Sequence, residues 1–254
     1  MANNNIRDDQ WARIVGFLRD CPGVYVGKEE RCRQFVEAVL WINRTGAQWR
    51  ELPESRFGKW NSVYKRYGRW ADKGIWQRMH EHFAKEADLE YLIPDSTVIR
   101  THPCAAGAPK EKGGQSMQSL GRSRGGFSTK IHAVVDSLGN PLRFLFTGGQ
   151  RHDITRAASL IRGYSADYVI ADRSYDSDAF IALLDTMGMT PVIPARKNRT
   201  QTREYDSHIY KERHLVECFF NKIKYYRRIF SRFDKLLSRY YGFISLAATL
   251  IWLR

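Results

Sequence analysis

Three acidic residues stand where a chain seldom tolerates charge. Asp95 lies inside the β-branched run Leu92-Ile-Pro-Asp-Ser-Thr-Val-Ile99, Asp172 closes the run Tyr168-Val-Ile-Ala171, and Glu217 interrupts Leu215-Val-Glu-Cys-Phe-Phe220. Carboxylates are rarely buried unless paired or bound to a cation. Three converging on one point repel one another unless a cation sits among them. Hard oxygen donors suit Mg²⁺, with Mn²⁺ as the natural substitute. Two such ions about 4 Å apart activate water and stabilise the leaving oxygen in phosphodiester chemistry. Each acid alone reads as an ordinary strand-end or half-exposed side chain; it is their joint placement that points to a site. Asp136 reads instead as a hairpin-turn residue, Asp153 and Asp176 as helix caps, and Glu212, between Lys211 and Arg213, as exposed.

The segment around Glu217 carries a second pattern. A long helix is predicted from Arg213 to about Phe233. Tyr210, Glu217 and Lys224 recur at heptad spacing, which drifts only about 20° on a helix, and Arg213 joins their face four residues before Glu217. Leu215, Phe219, Ile223 and Tyr226 form an apolar stripe well round from it. Lone Arg–Glu pairs on a helix contribute little. Flanking a candidate metal ligand, the same cations could hold substrate phosphates.

These residues need a frame. Tyr91–Arg100 is β-rich, Ser128–Val135 alternates, Asp136–Asn140 is a hairpin turn and Leu142–Phe146 the return strand. A helix from Asp153 to Gly163, a strand Tyr168–Ala171, a helix Asp176–Met187, a strand Thr190–Ile193 and the terminal helices follow. A three-strand meander followed by crossover units gives a mixed α/β sheet with helices on its faces, the element order of the RNase H-like fold. In that fold the first and fourth strands are parallel neighbours, so Asp95 and Asp172 would face each other and the last helix would bring Glu217 across. Proline belongs at strand starts or bulges, so the first strand is expected to begin at Pro94. Residues 101–127 interrupt the meander as a basic, glycine-rich loop with Lys110, Lys112, Arg122 and Arg124. It reads either as a clamp on a phosphate backbone or as a solvated insertion.

Residues 1–89 read as a separate all-helical domain and residues 90–254 as the catalytic domain. One helix carries Phe35, Val36, Val39, Leu40 and Ile42 and stops at Thr45-Gly46, with the glycine as its C-terminal cap. Another carries Trp60, Val63, Tyr64, Tyr67 and Trp70, with Lys65, Arg66 and Arg69 on its other side. Two readings stay open: a helix-turn-helix with a DNA-binding basic face, or a bundle with solvated cations.

The 254 residues carry 41 Lys+Arg against 27 Asp+Glu, a net charge of +14. Such an excess speaks for a polyanionic partner, nucleic acid above all, without deciding it. No apolar run is long enough for a membrane span, and the first residues lack a signal peptide's apolar core. Cys21, Cys32, Cys104 and Cys218 form no Cys-x-x-Cys pair. A cytoplasmic protein with reduced thiols is expected.

Tyr210-x2-Arg213-x3-Glu217-x6-Lys224 matches the Tyr-Arg-Glu-Lys signature of bacterial insertion-sequence transposases. The chain resembles DDE transposases of the insertion-sequence-five and insertion-sequence-four-like group along most of its length. Further motifs in keeping are Trp60-x-x-Val-Tyr-x-Arg-Tyr-x-Arg-Trp70, Asp95-Ser-Thr-Val, Gly121-Arg-Ser-Arg-Gly-Gly126, Gly149-Gln-Arg-His-Asp153 and Ala171-Asp-Arg-Ser-Tyr-Asp-Ser177. The resemblance implies Asp95, Asp172 and Glu217 as a Mg²⁺-binding catalytic triad, with Tyr210, Arg213 and Lys224 positioning DNA. It implies a nucleoid-associated homodimer acting on double-stranded DNA: it would hydrolyse the ends of terminal inverted repeats and join the freed 3′-hydroxyls to target DNA. A nuclease or resolvase without strand transfer, and a non-catalytic DNA-binding repressor, are the competing expectations.

Overall fold

The apolar periods of the sequence become helices and strands over most of the chain, and the departures fall where distant segments decide local structure. A computed structural model describes residues 5–107, 114–123, 125–200 and 203–254. Helices α1 (Asp8–Asp20), α2 (Glu29–Thr45), α3 (Glu54–Phe57), α4 (Trp60–Asp72) and α5 (Ile75–Phe83) come first. Strand β1 (Tyr91–Thr101), helix α6 (Gly114–Met117) and strands β2 (Gly121–Ser123), β3 (Gly126–Val135) and β4 (Pro141–Gly148) follow. Then come α7 (Ile154–Ile161), β5 (Tyr168–Ile170), α8 (Asp178–Thr186), β6 (Thr190–Val192), α9 (His214–Lys224), α10 (Arg227–Phe230), β7 (Ser231–Arg232) and α11 (Leu237–Trp252).

The chain divides into two compact units: residues 1–85, 101–118 and 223–254 form one, residues 86–100 and 119–222 the other. In the helical unit, α11 packs on α5, α4 and α2. It is apolar all round, and such a helix must be enclosed; residues from Phe243 to Ile251 are buried. Tyr67 stacks on Phe243 at 4.6 Å, and Phe35 meets Trp70 edge-on at 5.0 Å. A chain boundary at 89/90 leaves α11 with the C-terminal residues, whereas α11 packs on the N-terminal helices α2, α4 and α5 as well as on α10. Gly46 ends α2 in the left-handed region at φ 69°, its N–H donating to the Ile42 carbonyl, as its position in the sequence predicts.

The second unit is built on a mixed sheet in the order β2-β3-β1-β5-β6, with β4 also on β3. β1 runs antiparallel to β3, Asp95 opposite Ala133, and β3 antiparallel to β4. β1 runs parallel to β5 and β5 to β6. This is the meander-then-crossover arrangement expected of the RNase H-like fold. Asp136 forms the hairpin turn, its Oδ1 accepting the N–H groups of Leu138 at 3.0 Å and Asn140 at 2.7 Å. Ile131 to Val135 are all buried, since α7 packs on β3 and β4 while Phe219 of α9 meets Phe144 of β4 at 5.8 Å.

Four expectations are corrected here. β1 begins at Tyr91, not at Pro94. Its parallel ladder to β5 pairs only Tyr91 and Leu92, so no β5 neighbour requires an N–H from Pro94. The long helix of residues 213–233 is broken: Ile209–Arg213 form a 3₁₀ turn, α9 ends at Lys224, and α10 is a single turn. Asp153 makes no side-chain cap on α7. Asp176 does not cap α8, which starts after Ser177; its carboxylate is buried and receives Arg199 at 2.5 Å and Arg203 at 3.0 Å.

Candidate active site

The parallel pairing of β1 with β5 fixes the first two acids. Asp95 stands in β1, and Asp172 lies just past the end of β5, where it leads a 3₁₀ turn over Arg173–Tyr175. Asp172 Oδ1 accepts the Ser174 N–H at 2.8 Å and also the Ser174 hydroxyl. Asp95 Oδ1 accepts the N–H of Ser96 at 2.7 Å, and its Oδ2 lies 3.3 Å from Arg213 Nη1. The other Arg213 nitrogen pairs with Glu217, whose side chain is 52% exposed. One guanidinium thus ties the acid of β1 to the acid of α9. Burial pushes the Asp95 carboxyl up to about 6; the Ser96 N–H and Arg213 act against this, while the nearby charges of Asp172 and Asp153 add to it.

Asp153, read from sequence as a cap, belongs to this cluster. Its Oδ1 accepts the Ser96 hydroxyl at 2.6 Å and lies 2.8 Å from Lys130 Nζ. His132 Nδ1 stands 3.9 Å from the same oxygen, while His132 Nε2 is 2.8 Å from the Thr147 hydroxyl. Tyr175 is fully buried and its hydroxyl has no hydrogen-bond partner among the described residues. Burial holds that phenol well above its ordinary range, and the charges of Asp95, Asp153 and Asp172 reinforce it. Tyr175 and Asp153 both fall within motifs quoted above, but nothing local marks them as neighbours of Asp95.

The remaining predicted residues are scattered. Tyr210 lies on the 3₁₀ turn before α9, edge-on to Tyr205 at 5.3 Å. Lys224 is the last residue of α9 and falls in the helical unit. Arg122 is exposed on β2, over the Phe127 ring at 5.9 Å. Arg124, Lys110 and Lys112 lie outside the described residues. In the helical unit Lys65 and Arg69 are exposed on α4. Arg66 is engaged in that unit's own packing, over Phe35 at 4.3 Å and Trp70 at 5.1 Å, with Nη2 3.3 Å from Cys32 Sγ.

Among the described residues no group of three or more His, Cys, Asp or Glu side chains is gathered closely enough to hold a metal ion as arranged. The donor chemistry of Asp95, Asp172 and Glu217 nevertheless suits a hard divalent cation. Burial, with the nearby charges of Asp172 and Asp153 adding to it, raises the Asp95 carboxyl, and Arg213 supplies a cation to two of the three acids.

Two family models match the chain. Residues 6–80 match "Putative transposase of IS4/5 family", and residues 86–251 match "Transposase DDE domain". The chain is 46% identical over 131 residues to a Brucella ovis protein named "Putative transposase for insertion sequence element IS6501", a match covering 50% of this chain and 99% of the relative. It is 46% identical over 118 residues to an uncharacterised protein of Sinorhizobium fredii, covering 45% of this chain and 91% of that one. Among solved structures, a piggyBac transposase synaptic complex with hairpin DNA aligns with a TM-score of 0.37 and 12% identity, over 79% of this chain and 45% of that chain.

Proposed function

The chain belongs to the DDE transposases of insertion sequences, enzymes of DNA transposition, and from that premise we propose that it cuts the ends of terminal inverted repeats and joins the freed 3′-hydroxyls to target DNA. In the first step a water oxygen attacks the scissile phosphorus and the 3′ oxygen leaves with a proton. In the second that 3′ oxygen attacks a target phosphorus and displaces a target 3′ oxygen. Asp95, Asp172 and Glu217 would hold Mg²⁺, with Mn²⁺ able to replace it. Bound there, the ions supply Lewis-acid activation of the attacking oxygen and charge neutralisation at the leaving one.

The observation that carries this reading is the convergence of Asp95 and Asp172 from parallel neighbouring strands, with Arg213 joining Asp95 to Glu217. The Ser96 N–H and Arg213 both favour the charged form of Asp95 against its burial. Ser174 and Ser96 fix the orientations of the two aspartates through hydrogen bonds to Oδ1. Tyr210, Arg213 and Lys224 would position the DNA backbone, with Arg122 and Arg124 and, from the helical unit, Lys65, Arg66 and Arg69 contributing phosphate contacts. The enzyme would act as a homodimer on paired ends, at the nucleoid. No helix among the described residues is long and apolar enough to cross a membrane.

The test is a strand-cleavage and joining assay on labelled duplex carrying the repeats that flank this gene, with Mg²⁺. Wild type should give nicks at the repeat boundary and covalently joined products. Asp172→Asn and Glu217→Gln should lose both while still binding the duplex. Nicks without joined products would make the protein a nuclease; binding with no metal-dependent nick would make it a repressor.

A further inference from the structure

Beside the acids of the catalytic unit lies a cavity of about 780 Å³, within the size range of ligand sites. Lys130, Arg173, Arg196 and Lys197 bring four cations to its wall against the single carboxylate of Asp153, and that carboxylate is taken by Lys130 and the Ser96 hydroxyl. Arg173 and Lys197 have no side-chain hydrogen bond or ion pair among the described residues. Like charges gathered in this way repel one another, so the arrangement is not explained by the stability of the fold.

The basic segment is held in place. The N–H of Arg196 donates to the buried Asp176 carboxylate at 2.8 Å, and Arg199 and Arg203 pair with the same group. Arg196 Nε and Nη2 donate to the carbonyls of Arg173 at 3.2 Å and Ser174 at 2.8 Å. Residues 196 and 197 are thereby tied to the turn that carries Asp172, and Ser174 both lines the cavity and donates to Asp172. Among the described residues the lining offers cations and the hydroxyls of Ser174 and Thr155, groups that suit phosphate oxygens.

We propose that this cavity is a phosphodiester subsite that receives the DNA backbone next to the scissile phosphate, contacted by Arg173, Arg196 and Lys197. The assignment rests on the transposase reading, and its test is chosen so that the two can fail separately. Binding of a labelled duplex would be followed by fluorescence anisotropy against salt concentration, without divalent metal. One duplex carries the element end and another a random sequence, which separates donor from target DNA as the source of the phosphates. Each phosphate contact contributes about −0.9 to the slope of log K against log salt. Lys197→Glu should make the slope shallower by about one and weaken binding several-fold, and Arg196→Glu with Lys197→Glu should make it shallower by about two. Arg162→Glu, at the exposed far end of α7, should leave the slope unchanged.

Lys197 has no side-chain partner among the described residues, so its single variant should keep the wild-type melting curve. An unchanged slope in Lys197→Glu, with a wild type that cuts and joins DNA, overturns the subsite and leaves the function standing. Equal slope changes in Lys197→Glu and Arg162→Glu overturn it as well, since they report bulk charge. A reduced slope confined to the cavity variants, with a wild type that never cuts, keeps the subsite and overturns the transposase reading.

Discussion

The Arg213 guanidinium lies 3.3 Å from the Asp95 carboxylate across a sequence separation of 118 residues. The same side chain pairs with Glu217, so it stands in for a cation among the acids. Removing it should favour any other cation that competes for them. Arg213→Ala is expected to tighten Mn²⁺ binding in the absence of DNA by roughly fivefold, about 1 kcal/mol, the upper range for half-exposed ion pairs. Loss of the phosphate-positioning charge should lower the nicking rate by about 10²-fold. Electron paramagnetic resonance titration with Mn²⁺, set beside the nicking assay, reads both. Weaker Mn²⁺ binding in the variant would show that Arg213 organises the acids rather than competing for them.

His132 gives the catalytic unit a pH-dependent stability. Burial pushes its imidazole down to about 4; Lys130 and Arg156 act in the same direction, and Asp153 opposes them. The folded value lies below the unfolded value of about 6.5. The contribution is therefore complete above pH 6.5 and is lost as pH falls from there towards 4. Between pH 7 and 4.5 the loss should be roughly 2 kcal/mol. His132→Gln, which keeps a group able to reach Thr147, should flatten that part of the profile. Urea unfolding of both proteins at several pH values decides it: parallel profiles would show that His132 is not the group responsible.

What could be read in the sequence was what neighbours in sequence determine. The hairpin at Asp136 and strands β3 to β6 follow from alternation and turn residues a few positions apart. Pro94 reads as a strand start because its lack of an N–H is a local fact, whereas the short reach of the β1–β5 ladder is a tertiary one. The helix predicted through Phe233 breaks after Lys224 although apolar residues continue in period. The chain there turns into α10, where Arg228 forms a buried pair with Asp234 at 3.0 Å. Asp153 and Asp176 sit just ahead of helices and so resemble caps, yet their partners Lys130, Arg199 and Arg203 are about 20 or more residues away in the chain. The Tyr-Arg-Glu-Lys spacing was legible, but Tyr210 and Arg213 occupy a 3₁₀ turn, so their relation to Glu217 is not that of one continuous α-helical face.

Asp176 should prove more important to the placement of Arg196, Arg199 and Arg203 than to the charge of their surroundings. Its side chain is 1% exposed, and those of Arg199 and Arg203 are 22% and 28% exposed. Removing the acid leaves two partly buried cations with the exposed Asp178 as their only ion-pair partner among the described residues. Breaking a fully buried pair costs about 3–5 kcal/mol; with partners this accessible to water, Asp176→Ala should cost about 2 kcal/mol. Limited trypsin digestion should then cut after Arg196 or Lys197 faster than in wild type. Unchanged digestion with reduced stability would place the role of Asp176 in the core under α8 instead.

Gly46 offers a test of the helical unit that needs no DNA. It caps α2 at φ 69°, and a Cβ there would lie 2.9 Å from the Cβ of Arg227 at the start of α10. A left-handed conformation costs a residue with a Cβ about 1–2 kcal/mol, and the contact must be relieved by moving backbone as well. Gly74 has a similar φ of 66° but only a Gln77 side-chain atom at 3.9 Å from the added carbon. Gly74→Ala should therefore report the conformational cost alone, and Gly46→Ala that cost plus the displacement of α10. The first is expected to lower the unfolding free energy by about 1 kcal/mol and the second by at least 2 kcal/mol, near the cost of overpacking a core. Equal losses in urea unfolding would mean that α10 yields freely to the added methyl group, and that α2 and α10 are not held in register by this contact.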